Sequence, residues 1–161
     1  MKAEYEQLIN DSLFKDWRKL HPQAFLTHFF LQLGSDLKPK SPWEVGFFEK
    51  NKITVFVVNK QVEIKPEDEI FKKPQEKVDQ LNLKKVKISF PEAVDYCREG
   101  FSKHFSEAIL GDGFVILQSY QQQLIWNFTF IDKSLKFLNL KIDAVTGAVN
   151  SHNTIDLVQK S

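Results

Sequence analysis

Few side chains in this sequence have the types and the spacing that catalysis or metal binding requires. The sequence contains one cysteine, Cys97, and four histidines, His21, His28, His104 and His152. None of them forms a His-x-x-x-His or Cys-x-x-Cys arrangement that would preassemble metal ligands. Cys97 and His104 share one face of a predicted helix, but two turns, or about 10 Å, separate them. Core packing is therefore favoured over a ligand pair, and no metal site is predicted.

A phosphate-binding loop is also absent from the sequence. Residues 111–113, Gly-Asp-Gly, do not match a Walker sequence and are interpreted as a turn. The sequence contains no nucleophile elbow and no paired-carboxylate motif. We therefore predict no catalytic residue, no cofactor and no enzymatic activity.

Three residues are candidates for ligand binding: Trp43, Trp126 and Asp143. The two Trp residues could line a pocket, although a Trp on a strand more simply anchors a helix against its sheet. Asp143 can accept hydrogen bonds from the amides of a tight turn, and Gly147 can adopt the positive φ that such a hairpin requires. Structural roles are therefore favoured for Asp143 and Gly147. A binding, catalytic or metal role for Asp143 is the alternative.

The hydrophobic pattern predicts the elements that position these residues. Helical spacing predicts a helix over residues 3–20 and a second one over residues 89–105. Strand composition marks residues 24–33, 43–49, 53–58, 114–120, 124–131 and 135–142. Residues 55–58 are apolar without alternation, which predicts that both faces of their strand are covered. We expect the two halves to share one core, or a partner to cover this sheet.

The start of the second helix is the best-specified element of the chain. Ser89 and Glu92 form a Ser-x-x-Glu capping box, in which each side chain bonds the backbone amide of the other residue. Pro91 is tolerated in the first turn, because its missing N–H would have no helical partner there. The sequence therefore fixes where this helix begins.

Three segments of the second half resemble the PepSY domain family. They are Ile88-Ser89-Phe90-Pro91-Glu92-Ala93, the strand that contains Trp126, and Asp143-Ala144-Val145-Thr146-Gly147-Ala148-Val149. The resemblance covers roughly residues 86–153. It implies a small helix-on-sheet module that binds and inhibits peptidases or acts as a propeptide, often outside the cytoplasm, with no shared catalytic residues.

The first half resembles a degenerate second copy of this unit. Trp43 matches Trp126 at an offset of 83 residues, and residues 17–25 match residues 101–109 at an offset of 84. The first copy lacks the capping box and the Asp-Ala-x-Thr-Gly hairpin. The expected fold is α+β: two tandem PepSY-like (cystatin-like) units over residues 1–64 and 86–161, each a helix on an antiparallel sheet. Residues 65–85 form a charged linker or surface segment between them.

Composition restricts the classes of partner and the location. With 22 Lys and Arg against 21 Asp and Glu, the net charge is +1, and the cations are interleaved with acids. Nucleic acid is not expected as a partner, because that affinity rests on an excess of cationic contacts to phosphate. No apolar run approaches 18 residues, so no membrane span is predicted. The polar N-terminus predicts a cytoplasmic location, or an extracytoplasmic one if an export signal was trimmed.

Two classes of function fit these observations. The first is a non-enzymatic module whose sheet binds a peptide or a protein, including inhibitory binding of a peptidase. The alternative is a small cystatin-like or nuclear-transport-factor-like domain with a polar pocket for a small molecule, which could be an enzyme. A filled aromatic core would favour the first class, and converging His, Asp or Tyr side chains in a cavity would favour the second. The strands are poor in acids and histidines, which favours binding.

Overall fold

Helices and strands are segregated in the chain in the manner of an α+β fold. The computed structural model describes residues 1–66, 68–69 and 78–156. Within these residues the helices are α1 Lys2–Asn10, α2 Ser12–Leu20 and α3 Phe90–His104, with a short 3-10 helix at Leu83–Lys85. The strands are β1 Phe25–Leu33, β2 Trp43–Glu49, β3 Lys52–Val58, β4 Val62–Ile64, β5 Asp68–Glu69, β6 Leu110–Tyr120, β7 Gln123–Asp132, β8 Lys136–Asp143 and β9 Val149–Asp156. The predicted α+β class with antiparallel sheet is confirmed.

The described strands belong to one antiparallel sheet. Its order is β4-β3-β2-β1-β6-β7-β8-β9, and β5 also pairs with β3. The two halves meet at the central pair of strands, β1 and β6, where Phe29 is opposite Leu117. The sheet is therefore continuous across the boundary between the two expected units.

All three helices pack on the same face of this sheet. In the first half, the Trp17 ring of α2 lies 5.5 Å from the Phe47 ring, and in the second half the Phe101 ring of α3 lies 5.4 Å from the Phe130 ring. One cluster of buried side chains runs through both halves and includes the large rings of Trp17, Phe29, Trp43, Phe47, Phe56, Phe101, Trp126, Phe128 and Phe130. The expectation of a core shared by the two halves is confirmed.

The other face of β3 is not covered in the way that its composition predicts. Phe56 and Val58 are buried under the helices, whereas Val55 and Val57 point to the opposite face and are half-buried. Apolar residues on both sides of a strand thus indicate here one packed face and one half-exposed apolar face. The exposed side of the sheet becomes a candidate surface for contact with other molecules.

The predicted helix over residues 3–20 is divided at Asp11. This residue has extended backbone angles, and its carboxylate Oδ1 accepts a hydrogen bond of 2.9 Å from the Leu13 amide. Asp favours such a cap over a position inside a helix, because its short side chain can satisfy an amide of the first turn. The apolar spacing continues through this break, which is why periodicity alone predicted one helix.

The capping box before α3 is confirmed. The Ser89 hydroxyl accepts from the Glu92 amide at 3.3 Å, and the Glu92 carboxylate accepts from the Ser89 amide at 3.1 Å. These hydrogen bonds, first that of the Ser89 backbone and then that of its side chain, hold the pKa of Glu92 below its usual value. The cap needs no distant contact, so the sequence was sufficient to predict it.

The interpretation of residues 111–113 as a turn is wrong. Gly113 lies within β6, opposite Phe130 of β7, and the register of the two strands shifts between Leu110 and Gly113. A Gly inside a strand often marks such an irregularity or a close approach of another chain segment. Here the approach is that of the β7 backbone.

The charged segment over residues 65–85 contacts the first half where the structure describes it. Lys65 Nζ forms an ion pair of 2.6 Å with Glu44, and the buried Leu81 donates its amide to the Leu26 carbonyl at 2.8 Å. Residues 67 and 70–77 of this predicted linker lie outside the described residues. The described ends are anchored to the sheet and its core.

Candidate binding surface

The face of the sheet opposite the helices carries a continuous set of side chains, most of them half-buried, and we call this surface the open face. Among the described residues no helix packs on it. Its members come from every long strand: Phe25, His28 and Phe30 of β1, Glu44 and Phe48 of β2, Ile53, Val55 and Val57 of β3, Phe114, Ile116 and Tyr120 of β6, Asn127, Thr129 and Ile131 of β7, Phe137, Asn139 and Lys141 of β8, and Ser151, Asn153 and Ile155 of β9.

Cross-strand register places these residues in rows across the sheet. One row includes Phe30, Ile116, Asn127, Lys141 and Ser151 on successive strands from β1 to β9. Directly opposed residues share a face and lie within contact distance, so each row is a strip of neighbouring side chains. The open face is therefore one surface to which both halves of the chain contribute.

Aromatic pairs form the apolar part of this surface. The rings of Phe30 and Phe114 stack with their centroids 5.6 Å apart, and those of Phe25 and Phe48 lie 5.5 Å apart. All four side chains are half-buried. Rings that are held by one neighbour and exposed on another side can bury further apolar area against a ligand.

A polar cluster lies in the second half of the open face. Asn139, which is 9% exposed, donates to Asn127 Oδ1 at 2.6 Å and to Thr129 Oγ1 at 2.9 Å. Its own Oδ1 accepts a 2.7 Å hydrogen bond from Lys141 Nζ, which also lies 5.8 Å from the centroid of the Tyr120 ring. The cluster holds the ammonium group of Lys141 among neutral partners.

His28 occupies the centre of the open face between β2 and β6. Its Nδ1 lies 2.8 Å from the Thr27 hydroxyl, and its ring fills the space that a side chain at Gly46 would take. Burial lowers the pKa of His28, and the charge of Glu44 offsets part of that effect. The neutral imidazole is therefore the form that the folded protein favours.

This depressed pKa predicts that acid destabilises the protein before its carboxylates titrate. An unfolded His takes up a proton near pH 6.5, whereas His28 in the folded chain resists protonation until a lower pH. The contribution of His28 to the free energy of unfolding is therefore present above the unfolded pKa of about 6.5. It is lost as the pH falls from there through the folded pKa. We expect the free energy of unfolding, measured in urea, to be lower at pH 5.5 than at pH 7.5.

His28→Gln should remove a part of this pH dependence, because the amide keeps polar groups at the site but does not titrate. The matched control is His21→Gln, which replaces a half-buried histidine on the helix side of the molecule. An equal loss of stability between the two pH values in the wild type and in the His28 variant would contradict the assignment.

The structure places Trp43 and Trp126 on the helix side of the sheet. Trp126 is fully buried, and its Nε1 donates to the Ile88 carbonyl at 2.9 Å. Trp43 is 8% exposed and borders a cavity of about 410 Å³ near the start of α3. The ring centroids of the two Trp residues lie 6.5 Å apart. These contacts anchor helix to sheet, and a binding role for either ring stays a prediction.

Asp143 ends β8 and holds the hairpin that follows. Its Oδ1 accepts hydrogen bonds from the amides of Val145, at 2.7 Å, and of Thr146, at 2.9 Å. Gly147 has φ +82°, a conformation that favours glycine, and a Cβ at this position would overlap the Tyr96 ring of α3. The geometry accounts for both residues structurally, and ligand binding by Asp143 stays a prediction.

A groove of about 1030 Å³ separates α3 from β9 on the helix side. The imidazole rings of His104 and His152 stack there with centroids 3.9 Å apart and planes inclined by 15°. Their nitrogen lone pairs lie in nearly parallel ring planes and so do not converge on one metal position. Within the described residues, no group of three or more His, Cys, Asp or Glu side chains could hold a metal ion.

Sequence reasoning missed the residues of the polar cluster and His28. Asn127, Thr129 and Lys141 lie on strands in which apolar and polar residues alternate. The sequence therefore showed that each of these strands has polar residues on one face. Their proximity to one another depends on the register of β7 against β8, which the alternation alone does not give. The available signal was the set of polar residues on the face opposite Trp126 and Phe128.

Comparisons with known proteins add information on the fold alone. No family model and no curated protein sequence matches the chain. Among solved structures, the crystal structure of a "putative lipoprotein" from Clostridium difficile 630 is similar, with a TM-score of 0.52 and 13% sequence identity. The similarity covers 88% of this chain and 90% of that chain. At this identity it supports a shared α+β architecture.

No helix among the described residues is long and apolar enough to span a membrane.

Proposed function

We propose that this protein is a non-enzymatic, PepSY-like binding module that holds a peptide or a protein segment on the open face of its sheet. The observation that carries the proposal is the extent of that face. It crosses both halves of the chain, it presents stacked Phe rings that are only half-buried, and no described helix covers it. Binding of a partner to such a surface is favourable, because half-exposed apolar area is removed from water.

The order of the strands supports a tandem origin of the two halves and, with it, the PepSY-like part of the proposal. From the centre outward, each half contributes its strands to the sheet in chain order: β1 to β4 on one side and β6 to β9 on the other. Trp43 and Trp126 lie on the second strand of each half, where they pair with Val58 and Ile142 of the third strand. The offsets of these two pairs are 83 and 84 residues, as in the sequence comparison.

The aromatic core favours the binding module over the alternative with a polar pocket. The space between helices and sheet is occupied by rings such as Phe29, Trp43 and Trp126, which leave little room for a deep polar cavity there. Two grooves lie at the surface of the described residues, one along α3 and one on the open face. Surface grooves of this kind suit an extended segment of a partner.

The free edge of β9 offers a second means of recognition. β9 is the last strand of the sheet, pairs only with β8 among the described strands, and exposes most of its side chains. A partner strand that pairs with this edge would extend the open face by one strand and supply main-chain hydrogen bonds. We include this edge in the proposed binding surface.

Site-specific photo-crosslinking tests the proposal. A benzophenone amino acid would replace Phe30 on the open face and, as the matched control, Leu20, an apolar residue that is 78% exposed on the helix side. After incubation with an extract of the source cells, position 30 should form discrete adducts and position 20 should not. Adding a panel of purified peptidases tests the inhibitory form of the proposal.

Two results would contradict the proposal. Adducts at position 20 but not at position 30 would move the binding surface to the helix side. Turnover of a peptide or ester substrate by the purified protein, abolished by one polar substitution, would show that the module is an enzyme.

A further inference from the structure

We propose that Lys141 forms a subsite for the carboxylate of an Asp or Glu side chain in the bound segment. The inference rests on the proposed function and specifies the chemistry of its partner: an acidic residue in an extended strand, with an apolar residue close to it. The subsite lies in the second half of the open face, where β7, β8 and β9 run side by side.

Neighbouring side chains already orient the ammonium group of Lys141 in the absence of a ligand. Lys141 Nζ donates to Asn139 Oδ1 at 2.7 Å and lies 5.8 Å from the centroid of the Tyr120 ring. Asn139 is held in turn by its hydrogen bonds to Asn127 and Thr129. A lysine that is already immobilised loses less side-chain entropy on binding than a free surface lysine does.

The charge of Lys141 has no carboxylate partner among the described residues. Ion pairs of the described residues involve other cations, among them the N-terminus, Lys40, Lys65, Arg98 and Lys136. The cross-strand neighbours of Lys141 are Asn127 and Ser151, both neutral. Asp143 is two residues away on the same strand, but its Oδ1 accepts two amides of the hairpin. The ammonium group therefore retains N–H donors for an incoming anion.

An apolar groove lies beside Lys141, so a peptide with an acidic and an apolar side chain would make more contacts there than an inorganic anion would. The groove has a volume of about 530 Å³, and its lining includes Phe114, Phe137 and Ile155 together with Thr129 and Asn139 of the polar cluster. In an extended segment, side chains at positions i and i+2 point to the same face about 7 Å apart. An acidic side chain at position i of the bound segment would then reach Lys141. The apolar side chain at position i+2 would enter the groove that Phe114 and Phe137 line.

A library of short random peptides with acetylated and amidated ends tests the subsite with the full chain as bait. The wild type should enrich peptides that contain Asp or Glu two positions from an apolar residue. Lys141→Met keeps the aliphatic stem but removes the charge, so it should bind the enriched peptides about tenfold more weakly, the loss of one charge-assisted hydrogen bond. Lys133→Met, at an exposed turn between β7 and β8, should bind them as the wild type does.

Charge reversal keeps the test independent of any change in packing. Lys141→Glu should shift the preference of the library from acidic to basic residues while the apolar preference remains. The subsite is overturned if wild type and Lys141→Met enrich the same acidic peptides equally, or if the enriched peptides carry no acid. Enrichment only from a second library with free C-termini would identify a terminal carboxylate and overturn the side-chain assignment. If the wild type enriches no peptide over an unrelated protein, the proposed function itself fails for peptides.

Discussion

Replacing Trp126 by Ala should lower the free energy of unfolding by about 3–5 kcal/mol, the range measured when a large buried ring is truncated. The ring is fully buried and contacts both Trp43 and Phe90, with centroids 6.5 Å and 5.9 Å away. The substitution also removes the donor that satisfies the Ile88 carbonyl. A loss of this size is a large part of the stability of a typical domain.

Chemical denaturation with urea measures this loss, and Trp126→Phe is the matched control. Phe retains an aromatic ring in the core but lacks the indole N–H, so its cost should be smaller than that of Ala. A loss below about 1 kcal/mol for the Ala variant would contradict the core role and favour a ring that lines a ligand pocket.

Gly113→Ala should also destabilise the protein, by about 1–3 kcal/mol or more, although it adds only one methyl group. The added Cβ would overlap the carbonyl oxygen of Thr129 and the ring of Phe130. The carbonyl belongs to the backbone of β7, which the ladder with β6 holds in place, so it cannot move aside as a side chain could. We expect either a weakened β6–β7 pairing or a displaced Phe130 ring in the core.

Gly34→Ala is the matched control for this substitution. The atoms nearest to a Cβ at Gly34 belong to the side chains of Asp36 and Lys40, which can shift more easily than backbone, so its effect on stability should be within about 1 kcal/mol. The free energies of unfolding of both variants, from urea titrations, decide the matter. Equal effects of the two substitutions would show that the close approach at Gly113 costs little.

The sequence by itself determined the features that depend on residues a few positions apart. Ser89 and Glu92 form their capping box within one turn of helix, and Asp143 and Gly147 shape their hairpin with amides two to four residues away. The interpretation of Trp126 as a strand residue that anchors a helix against its sheet agrees with its burial. Local hydrogen bonds and strand periodicity need no knowledge of the rest of the chain.

Where local signals compete, the sequence predicted the wrong structure. The apolar spacing over residues 3–20 continues through Asp11, so it predicted one helix. In the structure Asp11 follows the end of α1 and caps the start of α2. Gly113 has the composition of a turn but lies in β6, because the approach of the β7 backbone leaves no space for a side chain. In both cases the decisive contact is a backbone geometry that hydrophobic periodicity does not report.

Only the tertiary structure decided how the two halves join and which residues form the open face. The central pairing places Phe30 of β1 opposite Ile116 of β6, which is 86 residues later in the chain. A shift of one residue in that register would turn every side chain of a strand to the other face. The polar cluster around Lys141 depends in the same way on the register of β7 against β8. Such pairings are fixed by the packing of the whole core against the helices, so the binding surface appears only when the complete sheet is assembled.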